Sequence, residues 1–120
     1  REGNTWGSKG YERLSEHHIR TLSAFISFLH QRDVNVVFFF SPFHPDAYPL
    51  LVAHPSLQVY FSAEIVLRKL AREHKIPIIG DYDGRKLGCT ADEFYDDRHP
   101  KETCHDRILI PKNLTRMVAR

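Results

Sequence analysis

Between Tyr11 and Arg32 the apolar positions Leu14, Leu22, Phe25, Ile26 and Leu29 recur at helical spacing. Glu12, Glu16, His17 and Arg20 mostly fall elsewhere on the wheel, so this stretch predicts an amphipathic helix. The pattern then changes. Val34 to Phe40, V-N-V-V-F-F-F, is β-branched and aromatic with almost no alternation, which predicts a parallel strand buried on both faces beneath helices. Ser41-Pro42-Phe43-His44-Pro45 ends it, because two prolines remove backbone donors and fix φ. Residues 46–55 read as an irregular Pro-containing connection. Helical spacing returns from Ser56 to His74, with Phe61, Ile65, Val66 and Leu70 predicted inward and Arg68, Lys69, Arg72 and Glu73 outward. Ile76 to Gly80 predicts a short second strand whose proline belongs at an edge or at its first residues. Asp81 to Thr90 reads as a turn-rich loop, and Pro100 starts a helix over 100–110 that Pro111 stops. Residues 1–10 read as a Gly-rich loop, and 113–120 as a last helical turn or a frayed end.

The order is helix, strand, helix, strand, loop, helix. Right-handed crossovers set the two strands parallel in one α/β sheet. Two strands make a poor sheet, and the chain begins at Arg1 rather than Met. We therefore expect a single domain or a fragment over 1–120, its other strands supplied by a missing N-terminal half or by another copy.

Composition narrows the function classes. At 120 residues, with 42% hydrophobic and 27% charged content, the chain is an ordinary small globular domain. A net charge of +2, with 17 basic residues scattered along the chain, provides no nucleic-acid stripe and no polybasic membrane patch. No apolar run approaches the roughly 18 residues of a membrane helix, and no signal peptide is visible. Nothing in the chain calls for a cofactor.

The chemistry concentrates in Ala91 to Arg107, A-D-E-F-Y-D-D-R-H-P-K-E-T-C-H-D-R. Asp96 and His99 stand in a D-x-x-H, with Phe94 and Tyr95 as apolar anchors just before the acids. A carboxylate three residues ahead of a histidine can hold Nδ1–H and fix the tautomer, leaving Nε2 as a base toward a hydroxyl nucleophile. Solvated acids beside a helix-start histidine fit the tetrapeptide as well. Ser41 and His44, at the carboxyl end of the first strand, are candidates to line a pocket; a rigid proline turn accounts for them equally. Cys89 and Cys104 flank the D-x-x-H at a separation that permits a disulfide across the loop, worth about 3 kcal/mol; two unbonded thiols fit equally. A zinc site built from Cys89, Cys104, His99 and Asp97 has no C-x-x-C or H-x-x-x-H pairing behind it, so no metal is assigned.

These residues resemble the C-terminal half of an SGNH (GDSL-type) hydrolase, over about 34–110. In that family the triad Asp and His lie in a D-x-x-H-P near the C-terminus; here that is Asp96-Asp97-Arg98-His99-Pro100. The resemblance implies a three-layer α/β/α flavodoxin-like parallel sheet, incomplete in this chain. It also implies ester hydrolysis or O-acyl transfer on an acylated carbohydrate or lipid, with His99 as general base oriented by Asp96. No G-D-S, oxyanion glycine or G-x-N-D asparagine is present, and none of Ser8, Ser15, Ser23, Ser27, Ser41, Ser56 and Ser62 lies in a strand-to-helix nucleophile turn. The nucleophile is therefore expected outside this chain. The alternative is a non-catalytic binding or assembly module of the same fold. A Cys89–Cys104 disulfide would imply a periplasmic or cell-envelope location.

Overall fold

The computed structural model describes residues 13–109, so the readings over residues 1–10 and 113–120 lie outside the described residues. Ser15 starts the first helix, α1 (Glu16–His30): its hydroxyl accepts from the His18 N–H at 3.2 Å, supplying one of the donors a helix start leaves unpaired. Strand β1 (Phe38–Phe40) follows, then helices α2 (Tyr48–Ala53) and α3 (Gln58–His74), joined by a 3₁₀ turn over Pro55–Leu57. Strand β2 (Ile78–Gly80) leads through 3₁₀ turns at Gly84–Leu87 and Ala91–Glu93 into α4 (Glu102–Leu109). The architecture is mixed α/β around a two-stranded parallel sheet, with Phe38 opposite Ile78 and Phe40 opposite Gly80.

One core cluster joins α1 and α3 to the strands. Ile26 of α1, Ala71 of α3 and Ile76 are buried together, with Leu22, Val36, Phe38 and Ile78 packed against them. Burying one isoleucine contributes roughly 1.5–3 kcal/mol, so this small cluster is what fastens α1 and α3 to the strands. Ser23 Oγ and His74 Nε2 add a hydrogen bond of 2.8 Å between the same two helices. On the other face Phe39 meets the His105 ring of α4, centroids 6.1 Å apart.

Several boundaries differ from the sequence reading. The ladder covers only Phe38–Phe40, and Phe39 remains 41% exposed, so the expectation of a strand buried on both faces over 34–40 is corrected. The residues from Val34 to Val37 stay outside the ladder, and the Val34 N–H donates instead to the Leu29 carbonyl at 3.0 Å. The stretch 46–55 contains α2: Pro49 sits in its first turn, where a missing N–H breaks no helical bond. Ile65, expected inward, is 71% exposed. Arg68, expected outward, lies over the Phe40 ring at 4.8 Å and pairs with Glu64 and Asp81. Pro100 does not start a helix; it bridges antiparallel to Phe94, and α4 begins at Glu102.

Beyond the sheet the two strands keep running side by side. Phe43 bridges Asp83, and its N–H donates to the Tyr82 carbonyl at 2.9 Å. Phe43 is also the hub of an aromatic cluster with Tyr48, Tyr60, Phe61 and Tyr82 at centroid distances of 5.5–6.4 Å. Burial, reinforced by Tyr60 and Glu64, pushes the Tyr82 phenol up to about 12, so that phenol stays neutral across the physiological range. The cluster is the rigid base on which the loop at 41–47 stands.

Candidate active site

The D-x-x-H lies on a tight hairpin between Phe94 and Pro100. Tyr95 N–H donates to the His99 carbonyl at 2.9 Å, and Lys101 N–H donates to the Glu93 carbonyl at 2.7 Å, closing the turn from both ends. Phe94 is buried and anchors it. Tyr95, read as a second anchor, is instead 75% exposed beneath the Lys101 ammonium, because the hairpin alternates its side chains and only one can face inward.

Inside this turn Asp96 uses both carboxylate oxygens. Oδ1 accepts from the Arg98 N–H at 2.9 Å and the His99 N–H at 2.8 Å; Oδ2 stands 2.6 Å from His99 Nδ1. The Arg98 N–H, with further help from His99, holds the Asp96 carboxyl below the usual range against partial desolvation. An ionised carboxylate only accepts, so the proton of a neutral His99 ring sits on Nδ1 and Nε2 carries the lone pair. Among the described residues Nε2 makes no hydrogen bond. The His99 side chain is 67% exposed, so its nitrogen is open to an incoming group.

Two ties position the hairpin. The first is Cys89–Cys104, joined as a disulfide with Cα atoms 5.5 Å apart and buried among Phe94, Ile108 and Leu87. The second is Arg107, whose guanidinium holds Glu93 through two hydrogen bonds of 3.0 and 3.2 Å and also donates to the Gly88 carbonyl. Arg107, with Thr103 and the Thr90 N–H, lowers the Glu93 carboxyl to about 2. The sequence reading missed this second tie, since neither residue forms a motif. With both cysteines bonded, the weakly supported zinc set has no thiolate to offer. No group of three or more metal-ligating side chains occurs among the described residues.

The loop at 41–47 comes alongside. His44 N–H donates to the Asp97 carbonyl at 2.8 Å, and the His44 ring lies 5.4 Å from Phe94. The small slot beside it, about 20 Å³, is walled by Phe43, Leu51, Leu57, Tyr60, Phe61 and Arg98; Ser41 and His44 are not among its walls. A larger cleft of about 500 Å³ opens at the amino ends of the strands, between His30, Asp33 and His74. It lies at the opposite end of the sheet from the dyad. His74 there bonds Ser23, but no carboxylate orients it among the described residues, so that pair is a strut between α1 and α3. The Asp96–His99 pair lies toward the carboxyl end, where open parallel sheets place their ligands.

No protein-family model matches the chain, and no curated protein or solved structure matches it. Among the described residues no helix is long and apolar enough to cross a membrane.

Proposed function

We propose that this chain is the C-terminal part of an SGNH-like ester hydrolase or O-acyltransferase, built on a three-layer α/β/α sheet that other strands complete. His99 is its general base and Asp96 orients it. The observation that carries this reading is the 2.6 Å contact of Asp96 Oδ2 with His99 Nδ1, which in the neutral ring puts the proton on Nδ1 and the lone pair on the open Nε2. In the reaction, Nε2 takes the proton of a serine hydroxyl as its oxygen attacks the ester carbonyl, then returns it to the departing alkoxide. Such a base contributes on the order of 10²–10⁴ in rate. The serine comes from outside this chain, and an acylated carbohydrate or lipid is the substrate class. The buried Cys89–Cys104 bond supports a location outside the reducing cytosol, in the periplasm or cell envelope.

The test is hydrolysis of p-nitrophenyl acetate by the full-length protein and its His99→Ala form. We expect a fall of about 10²–10⁴ in kcat/KM; equal rates would remove His99 from catalysis. One observation favours a second reading, a non-catalytic binding or assembly module: among the described residues no serine hydroxyl bonds His99. Full-length protein with no ester hydrolysis at all would select it.

A further inference from the structure

We propose that His44 is a second functional histidine of this site, presenting Nε2–H as a hydrogen-bond donor to a substrate oxygen. The assignment deepens the hydrolase reading above and rests on it. His44 is held at every polar atom but one. Its N–H donates to the Asp97 carbonyl at 2.8 Å, and its own carbonyl accepts from Ala47 N–H at 3.0 Å and Tyr48 N–H at 2.9 Å. Its Nδ1 accepts from the Asp46 N–H at 3.0 Å. A backbone N–H can only donate, so Nδ1 carries a lone pair and the ring proton sits on Nε2. Phe94, 5.4 Å away, packs against the ring, and Nε2 makes no hydrogen bond among the described residues.

His99 is the mirror case. Asp96 places its proton on Nδ1 and leaves the lone pair on Nε2. Two histidines of opposite tautomer therefore stand on loops joined by the His44–Asp97 bond, one offering an acceptor and the other a donor. Ester cleavage needs both, because the carbonyl oxygen gains negative charge as the nucleophile loses its proton. His54 provides an internal contrast. Its Nδ1 accepts from Ser56 N–H at 3.2 Å, the same local turn, but among the described residues no hydrogen bond joins it to the hairpin. The turn fixes a tautomer at both positions; at His44 a backbone hydrogen bond to Asp97 ties that turn to the hairpin.

Three measurements test the assignment. Long-range ¹H–¹⁵N spectra of the histidine-labelled chain, recorded near pH 8, should show the Nε2–H pattern for His44 and the Nδ1–H pattern for His99. An Nδ1–H pattern at His44 overturns it. Titration with acetate, as a probe oxygen, should move the His44 Nε2 resonance and leave that of His54 in place. No movement at His44, or equal movement at both, also overturns it, and this arm stands whether or not the protein hydrolyses esters. In the full-length enzyme His44→Ala should lower kcat on p-nitrophenyl acetate by about 10²–10³, with KM nearly constant. His44→Gln, which keeps a side-chain N–H donor, should recover about tenfold of that loss, and His54→Ala should leave kcat unchanged. Loss with no rescue by Gln would assign His44 to holding the loop, and no loss with Ala would remove it from the reaction. If His99→Ala alone leaves hydrolysis intact, the hydrolase reading fails while the spectra and the acetate titration still decide the donor.

Discussion

Asp96 shapes the turn and the base with different oxygens, and this separates two effects one substitution could otherwise confuse. In Asp96→Asn the amide oxygen can still accept from the Arg98 and His99 N–H groups, so the hairpin should persist. The amide nitrogen would then face His99 Nδ1 and donate to it, moving the ring proton to Nε2 and removing the base. We expect full-length Asp96→Asn to lose roughly 10²–10⁴ in kcat with an unchanged melting temperature. A melting temperature that falls together with the rate would show the loss to be structural. Glu93 makes a separate prediction in acid. Its folded pKa of about 2 lies below the ordinary 4.5, so the stability it contributes is complete above 4.5 and is lost as pH falls from there toward 2. Thermal melts across that window should decline less steeply in Glu93→Gln than in the native chain. Parallel declines would mean that the Arg107 pairing does not hold the hairpin.

At the scale of elements, the disulfide ties α4 to the loop before the hairpin, closing a 15-residue separation. Replacing both cysteines with alanine should lower stability by about 3 kcal/mol in urea unfolding. Thiol titration of denatured, unreduced protein should find no thiols; two per chain would end both the tie and the location drawn from it. Gly80 closes β2 at φ +79°, and a Cβ there would run into the Phe40 carbonyl of the neighbouring strand. Gly80→Ala should therefore cost about 1–3 kcal/mol, the scale of backbone strain, and a neutral result would mean the strands can separate at that end. These elements also show what was legible from sequence. The long helices α1 and α3 were, because their spacing is local. So was the Asp96–His99 contact, whose partners sit within one turn of chain. The length of β1 was not, since Val34 to Val37 have strand chemistry yet stay outside the ladder, with the Val34 N–H turned back to the Leu29 carbonyl. Helix α2 was hidden by Pro49, which, placed in its first turn, breaks no bond. Pro100 misled in the opposite sense, its fixed φ serving a bridge to Phe94 as well as it would a helix start. The approach of His44 to Asp97 was unreadable, because the aromatic cluster around Phe43 brings together loops far apart in the chain.

For the whole molecule the open question is what the sheet's edges do. Phe38 N–H donates to the Pro77 carbonyl at 3.0 Å, so alternation along β1 turns the Phe39 N–H toward the other edge. Among the described residues no third strand meets it, since the sheet contains β1 and β2 alone. An edge with unpaired donors and acceptors is a template for another strand. Large apolar side chains are exposed as well, Phe39 on the sheet and Phe25 and Phe28 on α1. The clusters on the two faces are too small to make this sheet self-sufficient, because a two-stranded sheet buries little apolar area of its own. We predict that the isolated chain associates with concentration through the β1 edge. Light scattering should show the mean mass rising with concentration. Hydrogen exchange at the Phe39 amide should be fast in dilute solution and slow as the mass rises, while the Phe38 amide stays protected throughout. A constant monomeric mass with Phe39 already protected would mean that a segment of the same chain covers the edge, and a constant mass with Phe39 exchanging fast at every concentration would mean that the edge recruits nothing.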